Sequence, residues 1–170
     1  MSREKGEAGG SGCYNLVTPK TGDIMSVKQI NPQQASEILD KDSDAVYIDV
    51  RTEPEFQNGH PAKGVNIPVV YPDQARGQMT PNPDFVRIVQ AKFPKEKKII
   101  VGCQAGGRSQ YAADLLTQAG FKDISNMQGG FGGAKDPMGR VIAQGWVQMN
   151  LPVETRVDET NSYAAMKKGL

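Results

Sequence analysis

The chain has 170 residues, which is enough for one domain with its own core and short of the usual length of two. Twenty basic side chains against 19 acidic ones give a net charge of +1, without the basic stripe typical of a nucleic-acid binder. The sequence has no apolar run of about 18 residues, so we expect neither a membrane span nor a nucleic-acid or membrane partner.

The ends of the chain differ in composition from its middle. Residues 1–24 are rich in Gly, Ser and Lys without a hydrophobic period, which predicts a flexible N-terminal tail. Residues 25–153 are predicted to form the domain. Residues 154–170 are polar and aperiodic, which predicts a C-terminal tail with a weak helix at best.

Short apolar runs predict strands, and apolar positions at helical spacing predict helices. In chain order, the predicted elements are a helix capped by Asn31 that starts at Pro32, a strand over 45–50, a helical turn over 53–59, a strand over 65–68, a loop over 71–83, a helix over 84–93, a strand over 98–102, a helix over 109–119 capped by Ser109, a strand over 122–127 and a loop over 128–146. This alternation predicts an α/β fold with a parallel sheet between helices. Ligands of such sheets bind at the carboxyl ends of the strands, so a site is expected after Val50, Pro68 or Gly102.

Cysteine and histidine are scarce. Two cysteines and one histidine are too few for a Cys/His zinc site, and two cysteines are no disulfide framework. We therefore expect no metal and a reducing, cytoplasmic setting, since the first residues also lack the apolar core of a secretory signal. Cys13 lies in the tail and is interpreted as an exposed bystander, with a resolving thiol or sulfur acceptor as the alternative.

The segment 103–108 joins the clearest predicted strand to a helix and contains the candidate nucleophile, Cys103. Unpaired amides and the dipole at a helix N-terminus favour an anion there, and the thiolate is the nucleophilic form of cysteine. Gly106 and Gly107 allow positive φ angles that turn successive N–H groups inward, and Arg108 adds a fixed positive charge. These features predict a reactive cysteine, whereas the alternative is an inert buried cysteine before a glycine-rich turn.

The length of this loop distinguishes between two kinds of chemistry. Four residues separate Cys103 from Arg108, namely Gln104, Ala105, Gly106 and Gly107. Cysteine phosphatases have five residues in this interval, and their wider ring fits a tetrahedral phosphate. The shorter interval predicts a tighter ring of amides, sized for a single sulfur atom on the cysteine, and argues against a phosphatase or arsenate reductase.

Several motifs in a fixed order carry a family resemblance. They are YIDVR at 47–51, EF at 55–56, GHPAKGVNIP at 59–68, CQAGGR at 103–108, GF at 120–121, QGGF at 128–131, Trp146 and LPV at 151–153. On these motifs the chain resembles a single-domain rhodanese over about residues 26–153. The resemblance implies the rhodanese-like α/β fold, a small parallel β-sheet flanked by helices on both faces.

The resemblance also implies sulfurtransferase chemistry without a cofactor. Cys103 would take the outer sulfur of thiosulfate or another persulfide donor and pass it, in a ping-pong cycle, to cyanide or a thiol acceptor. Backbone amides of residues 104–108 would hold the transferred sulfur. The alternative is a non-turnover persulfide carrier or redox-responsive interaction module that delivers sulfur to a protein partner.

The remaining candidates surround this loop. The resemblance places Asp49 and Arg51 beside it, and we interpret them as a salt-bridge and cap network that shapes the pocket, with direct chemistry as the alternative. Glu55 is expected to belong to the same network. Arg108 either binds the donor anion or braces the loop against a carboxylate. His60 is the only histidine and a candidate base, but the resembled motif gives it a structural role.

Two features bear on the choice of donor and acceptor. The long segment 132–145 either overhangs the pocket and selects the acceptor or packs as a surface loop. The loop interior carries no charged side chain, so Arg108 alone offers a positive charge to a dianion. A neutral or thiol-linked persulfide therefore stays open as a donor beside thiosulfate.

Overall fold

A computed structural model describes residues 26–170 of the chain. The strands are β1 (Lys28–Ile30), β2 (Val46–Asp49), β3 (His60–Pro61), β4 (Gly64–Asn66), β5 (Val70–Asp73), β6 (Gln78–Pro81), β7 (Lys98–Gly102), β8 (Asp123–Met127), β9 (Ala134–Lys135), β10 (Val141–Ala143) and β11 (Val153–Glu154). The helices are α1 (Pro32–Lys41), α2 (Glu53–Gln57), α3 (Phe85–Lys92), α4 (Gly107–Gln118) and α5 (Tyr163–Lys167). The predicted N-terminal tail and Cys13 lie outside the described residues.

Five parallel strands form the central sheet, in the order β1–β8–β7–β2–β4. Alternate side chains of β7 point to opposite faces, so Ile99 and Val101 pack in one apolar cluster and Ile100 in another. Helices α3, α4 and α5 contribute to the first cluster, and α1 to the second. The predicted α/β fold, with helices on both faces of a parallel sheet, is confirmed.

Local signals place α1 as predicted. The Asn31 side chain accepts a hydrogen bond of 2.8 Å from the Gln34 backbone N–H, and the Gln34 side chain accepts one of 2.9 Å from the Asn31 N–H. These reciprocal bonds satisfy amides that the first turn of a helix leaves unpaired, and Pro32 has no amide to satisfy.

The start of α4 differs from the prediction. The helix begins at Gly107 with Gly106 as its N-cap, and Ser109 is the third helical residue instead of the cap. Gly106 has a φ of +116°, a backbone conformation that a residue with a Cβ rarely adopts. This turn lets the helix start two residues earlier and directs the buried Ser109 side chain towards the end of β7.

Both predicted loops contain short antiparallel strand pairs. The segment 71–83 holds the β5–β6 pair, although its prolines predict a loop. Pro72 and Pro81 lie in a two-stranded ribbon, where the missing amide can face away from the partner strand. The segment 128–146 likewise contains the β9–β10 pair.

The C-terminal segment is not the tail that its composition predicts. Tyr163 in α5 is only 3% exposed and belongs to the larger apolar cluster. Its hydroxyl accepts a hydrogen bond of 3.0 Å from the Asn82 side chain and also hydrogen-bonds to the Tyr71 hydroxyl. The packed core therefore extends beyond residue 153, and the prediction of a tail over 154–170 is wrong. Local composition does not indicate this packing, because the contacts join residues far apart in the sequence.

Within residues 26–170, every helix is too short or too polar to cross a lipid bilayer.

Candidate active site

Cys103 follows the last residue of β7 and is 2% exposed. The Gly106 backbone N–H donates a hydrogen bond of 3.0 Å to the Cys103 sulfur, and the Ser109 hydroxyl lies 3.4 Å from the same atom. The strand thus delivers the thiol to the amino end of α4, where the unpaired amides and the helix dipole favour negative charge. The structure brings the predicted nucleophile and an amide of the predicted loop together.

A second segment holds the backbone of the loop from outside. The Phe131 N–H donates a hydrogen bond of 2.8 Å to the Cys103 carbonyl, and the Gly132 N–H donates one of 2.9 Å to the Gln104 carbonyl. Gly130 lies so close that a Cβ there would overlap the Cys103 carbonyl oxygen. The glycines after β8 are therefore needed for a close approach to the loop, as well as for turns.

Arg108 and Glu55 form a two-bond ion pair that closes the loop against α2. Arg108 Nη1 donates to Glu55 Oε2 at 2.8 Å, and Nη2 donates to Oε1 at 2.9 Å. Glu55 also accepts hydrogen bonds from the Thr52 backbone and hydroxyl, at 3.0 and 2.8 Å. Of the two interpretations of Arg108, this geometry is that of a brace against a carboxylate.

The same contacts perturb the titration of Glu55. The hydrogen bonds from Arg108 lower the pKa of Glu55 from its ordinary 4.5 to about 2, with further help from Thr52 and against the opposing effect of partial burial. Glu55 therefore carries its charge over the whole neutral and mildly acidic range.

Asp49 and Arg51 form a second, fully buried pair at the same edge of the sheet. Arg51 Nη2 lies 2.8 Å from Asp49 Oδ2 and also donates a hydrogen bond of 2.7 Å to the Gly59 carbonyl. Arg51 Nη1 reaches the Gln104 side chain at 3.2 Å, and the guanidinium stacks on the Phe131 ring at 4.4 Å. Arg51 is thus a brace that links β2 to the active loop and to the segment behind it.

His60 makes its contacts away from the loop. Its Nδ1 lies 2.8 Å from the Phe56 carbonyl, and its ring stacks on the Phe56 ring with centroids 3.6 Å apart. The side chain is completely buried between these groups. This environment is that of a packing residue, and the structure does not bring His60 together with the nucleophile.

A groove of about 430 Å³ lies beside the active loop. Its walls include Ala105 and Gly106 on one side and Ile142 and Ala143 of β10 on the other. The segment 132–145 therefore borders the loop, and Ile142 is 68% exposed there. Uncharged side chains line the groove throughout, including four amides from Gln29, Gln110, Asn126 and Gln128.

Sequence reasoning missed some of the residues around the site. Thr52, Phe131 and Asn126 contact Glu55, Arg51 and Ser109, respectively. The capping-box spacing of Thr52 and Glu55 was a readable signal, whereas the other two contacts join distant parts of the chain. Among residues 26–170, His, Cys, Asp and Glu side chains nowhere form a group of three or more that could hold a metal ion.

Comparison with known proteins identifies the family. The sequence pattern of the Rhodanese-like domain matches residues 31–136, which is more than half of the chain. The chain belongs to the rhodanese-like family, and the predicted resemblance is confirmed.

Relatives include proteins that are named for sulfur transfer. The chain is 33% identical over 138 residues to thiosulfate sulfurtransferase 18 of Arabidopsis thaliana, covering 80% of this chain and 90% of that protein. It is 36% identical over 108 residues to senescence-associated protein DIN1 of Raphanus sativus, covering 64% of this chain and 51% of that protein. The chain thus spans about half the length of some curated relatives that it matches.

Solved structures agree with the observed fold. The crystal structure of Rv0390 from M. tuberculosis matches with a TM-score of 0.63 and 31% sequence identity. The match covers 76% of this chain and 98% of that chain.

The Arg108–Glu55 brace makes a prediction about pH and stability. We expect Glu55→Gln to lower the free energy of unfolding at pH 7, because it removes the carboxylate that pairs with Arg108. The expected loss is only about 1 kcal/mol, because the ion pair is partly exposed and screened by solvent. A carboxyl whose pKa is lowered on folding stabilises the fold above its ordinary pKa and loses that effect as the pH falls through its folded value. The difference between wild type and variant should therefore shrink between pH 4.5 and about 2.

Urea unfolding at several pH values measures this difference. Glu159→Gln is the matched control, since the Glu159 side chain is 89% exposed and its substitution should show no such trend. A difference for Glu55→Gln that stays constant or grows towards pH 2 would contradict the assigned role of the ion pair.

Proposed function

We propose that the chain is a sulfurtransferase that carries a sulfane sulfur on Cys103 as a persulfide. The observation that supports this most directly is the hydrogen bond from the Gly106 amide to the Cys103 sulfur, at 3.0 Å. A backbone amide in a tight loop is a fixed donor, so it stabilises charge on sulfur without rearrangement during the reaction. The names of the relatives support the same class of chemistry.

The proposed cycle has two half-reactions. In the first, the Cys103 thiolate attacks the outer sulfur of the donor. A new S–S bond forms, and the bond between that sulfur and the rest of the donor breaks. The donor leaves with the bonding electron pair, as sulfite when thiosulfate is used. In the second, cyanide or a thiolate attacks the outer sulfur of the persulfide, and Cys103 departs as a thiolate. No net redox change and no cofactor are required.

The surroundings of the loop favour a donor of low charge. Arg108 is already engaged by Glu55 and Arg51 by Asp49, so both cations at the loop are neutralised by carboxylates. The neighbouring groove is lined by uncharged side chains. A dianion such as thiosulfate would gain little Coulomb energy here, whereas a thiol-linked persulfide loses less hydration on entering. We therefore propose a neutral or thiol-linked persulfide as the better donor.

The carrier alternative rests on the burial of the thiol. Cys103 is 2% exposed, which protects a loaded sulfur from adventitious thiols. A carrier would load one sulfur and release it only to a protein acceptor, whereas an enzyme would turn over with small acceptors.

Turnover assays on cysteine variants test the proposed enzyme. We expect wild-type protein to convert thiosulfate and cyanide, and an alkyl persulfide and a thiol, with double-reciprocal plots that are parallel, as a ping-pong cycle requires. Cys103→Ser should reduce both rates to those without protein. Cys13→Ser is the matched control and should leave both rates unchanged.

Three results would count against the enzyme. Activity that survives in Cys103→Ser would remove the assigned nucleophile. Loading of one sulfur without turnover would establish the carrier instead. Hydrolysis of an aryl phosphate without sulfur transfer would establish phosphatase chemistry.

A charge added at the loop tests the proposed donor preference. Ala105 is exposed at the loop and lines the groove, so Ala105→Lys places an unpaired cation beside the site. We expect kcat/KM for thiosulfate to rise about fivefold, which corresponds to about 1 kcal/mol of screened attraction. Ala105→Gln is the control of similar length without charge and should show no rise. An unchanged preference in the lysine variant would mean that charge at the loop does not limit the use of thiosulfate.

A further inference from the structure

Ser109 has three acceptors around one hydroxyl proton. Its Oγ lies 2.6 Å from Asn126 Oδ1, 3.1 Å from the Gly106 carbonyl and 3.4 Å from the Cys103 sulfur. A hydroxyl can donate to only one of them at full strength, and the shortest distance is typical of a strong O–H···O bond. The proton therefore lies towards Asn126, and a lone pair of Ser109 faces the sulfur.

The orientation of the Asn126 amide is fixed by a chain of hydrogen bonds. Asn126 Nδ2 donates to Gln29 Oε1 at 3.0 Å and to Gln110 Oε1 at 3.1 Å. Turning the amide over would place its oxygen against those two oxygens, which is repulsive. The amide oxygen is therefore left to accept the proton of Ser109.

An acidic side chain at the surface, Asp114, sets the direction of all the hydrogen bonds in this series. Gln110 Nε2 donates to Asp114 Oδ1 at 2.9 Å, and an ionised carboxylate can only accept. Gln110 must therefore present its oxygen to Asn126 and to the Gln29 amide, which donates to it at 2.6 Å. The direction of every bond from Asp114 to Ser109 follows from that one acceptor.

We propose that Asn126 is a positioning residue that withholds the Ser109 proton from Cys103. With this arrangement Ser109 accepts a hydrogen bond from the thiol S–H and opposes the bare thiolate, while the Gly106 amide stabilises it. This inference rests on the proposed function only in taking Cys103 as the nucleophile.

With this arrangement, the network favours negative charge on the outer sulfur of a persulfide over negative charge on the Cys103 sulfur itself. In a persulfide the negative charge lies on the outer sulfur, and the inner sulfur is no longer charged. A lone pair of Ser109 that faces the inner sulfur then costs less than it does against a bare thiolate. The network therefore favours the loaded site relative to the empty thiolate.

The pH profile of iodoacetamide labelling at Cys103 tests this assignment, since labelling requires the thiolate. Asn126→Leu removes the competing acceptor and frees the Ser109 proton for the thiolate, which is a stronger acceptor than the neutral Gly106 carbonyl. We expect the midpoint of labelling to move to lower pH by about half a unit, or about threefold faster labelling well below the midpoint.

Ser109→Ala provides a second test with a small change of volume. If Ser109 accepts from the thiol, its loss destabilises the thiol and moves the midpoint to lower pH. If Ser109 instead donates to the thiolate, its loss moves the midpoint to higher pH, and the proposal is overturned. The sign of this shift distinguishes Ser109 as an acceptor from Ser109 as a donor, even if Asn126→Leu does not fold.

The double variant that combines Asn126→Leu with Ser109→Ala tests whether Asn126→Leu acts only by loosening the loop. The effect of Asn126→Leu passes through the Ser109 hydroxyl, so the double variant should have the midpoint of Ser109→Ala alone. Fully additive shifts would overturn the proposal. The charged and titratable groups around Cys103 are the Arg108–Glu55 pair from α4 and α2, the Asp49–Arg51 pair at the end of β2 and the buried Tyr47 of β2, and none of them is changed. Labelling needs no sulfur transfer, so its outcome is independent of the turnover assays.

Discussion

The hydrogen bond from the Gly106 amide to the Cys103 sulfur constrains the rest of the site. It requires the chain to turn back within three residues after Cys103, and the φ of +116° at Gly106 makes that turn possible. It also requires α4 to start at once, so that the helix N-terminus faces the sulfur. The loop backbone is then held from outside by the Phe131 and Gly132 amides, whose donors reach the Cys103 and Gln104 carbonyls.

The charged side chains around the loop mainly hold its backbone in position and leave little net positive charge to attract an anion. The Asp49–Arg51 pair is buried, and removing one partner of such a pair typically costs about 3–5 kcal/mol because the other charge is left without compensation. The Arg108–Glu55 pair is partly exposed and contributes less, but it joins α4 to α2 across the loop. With their cations engaged, both pairs hold the loop in place, and the Gly106 amide of that loop donates to the Cys103 sulfur.

The sequence predicts the parts of the structure that local patterns determine. The apolar run of β7 and the Asn31–Pro32 start of α1 are readable because each depends on a few adjacent residues. Cys103 and its loop are readable because strand, glycines and helix follow one another directly. The sequence predicts the cap of α4 at Ser109 because serine is a common N-cap, but the left-handed turn at Gly106 starts the helix two residues earlier.

Contacts between distant segments account for what the sequence does not predict. Tyr163 joins the core through α3 and β4, and no periodic pattern in five helical residues announces that packing. The pairing of Gln104 with Arg51 and of Ser109 with Asn126 likewise depends on the finished sheet, which brings β2, β7 and β8 side by side. These long-range contacts decide the orientation of groups whose identity the sequence already supplies.

Under the proposed function, Cys103 holds an additional sulfur atom between the two half-reactions. Mass spectrometry of the intact protein after exposure to thiosulfate and to an alkyl persulfide detects this atom, and peptide mapping locates it. We expect a mass increase of one sulfur on the peptide that contains Cys103, removed by cyanide and absent from Cys103→Ser. A protein that never gains this sulfur at Cys103 with either donor is not a sulfurtransferase that works through Cys103.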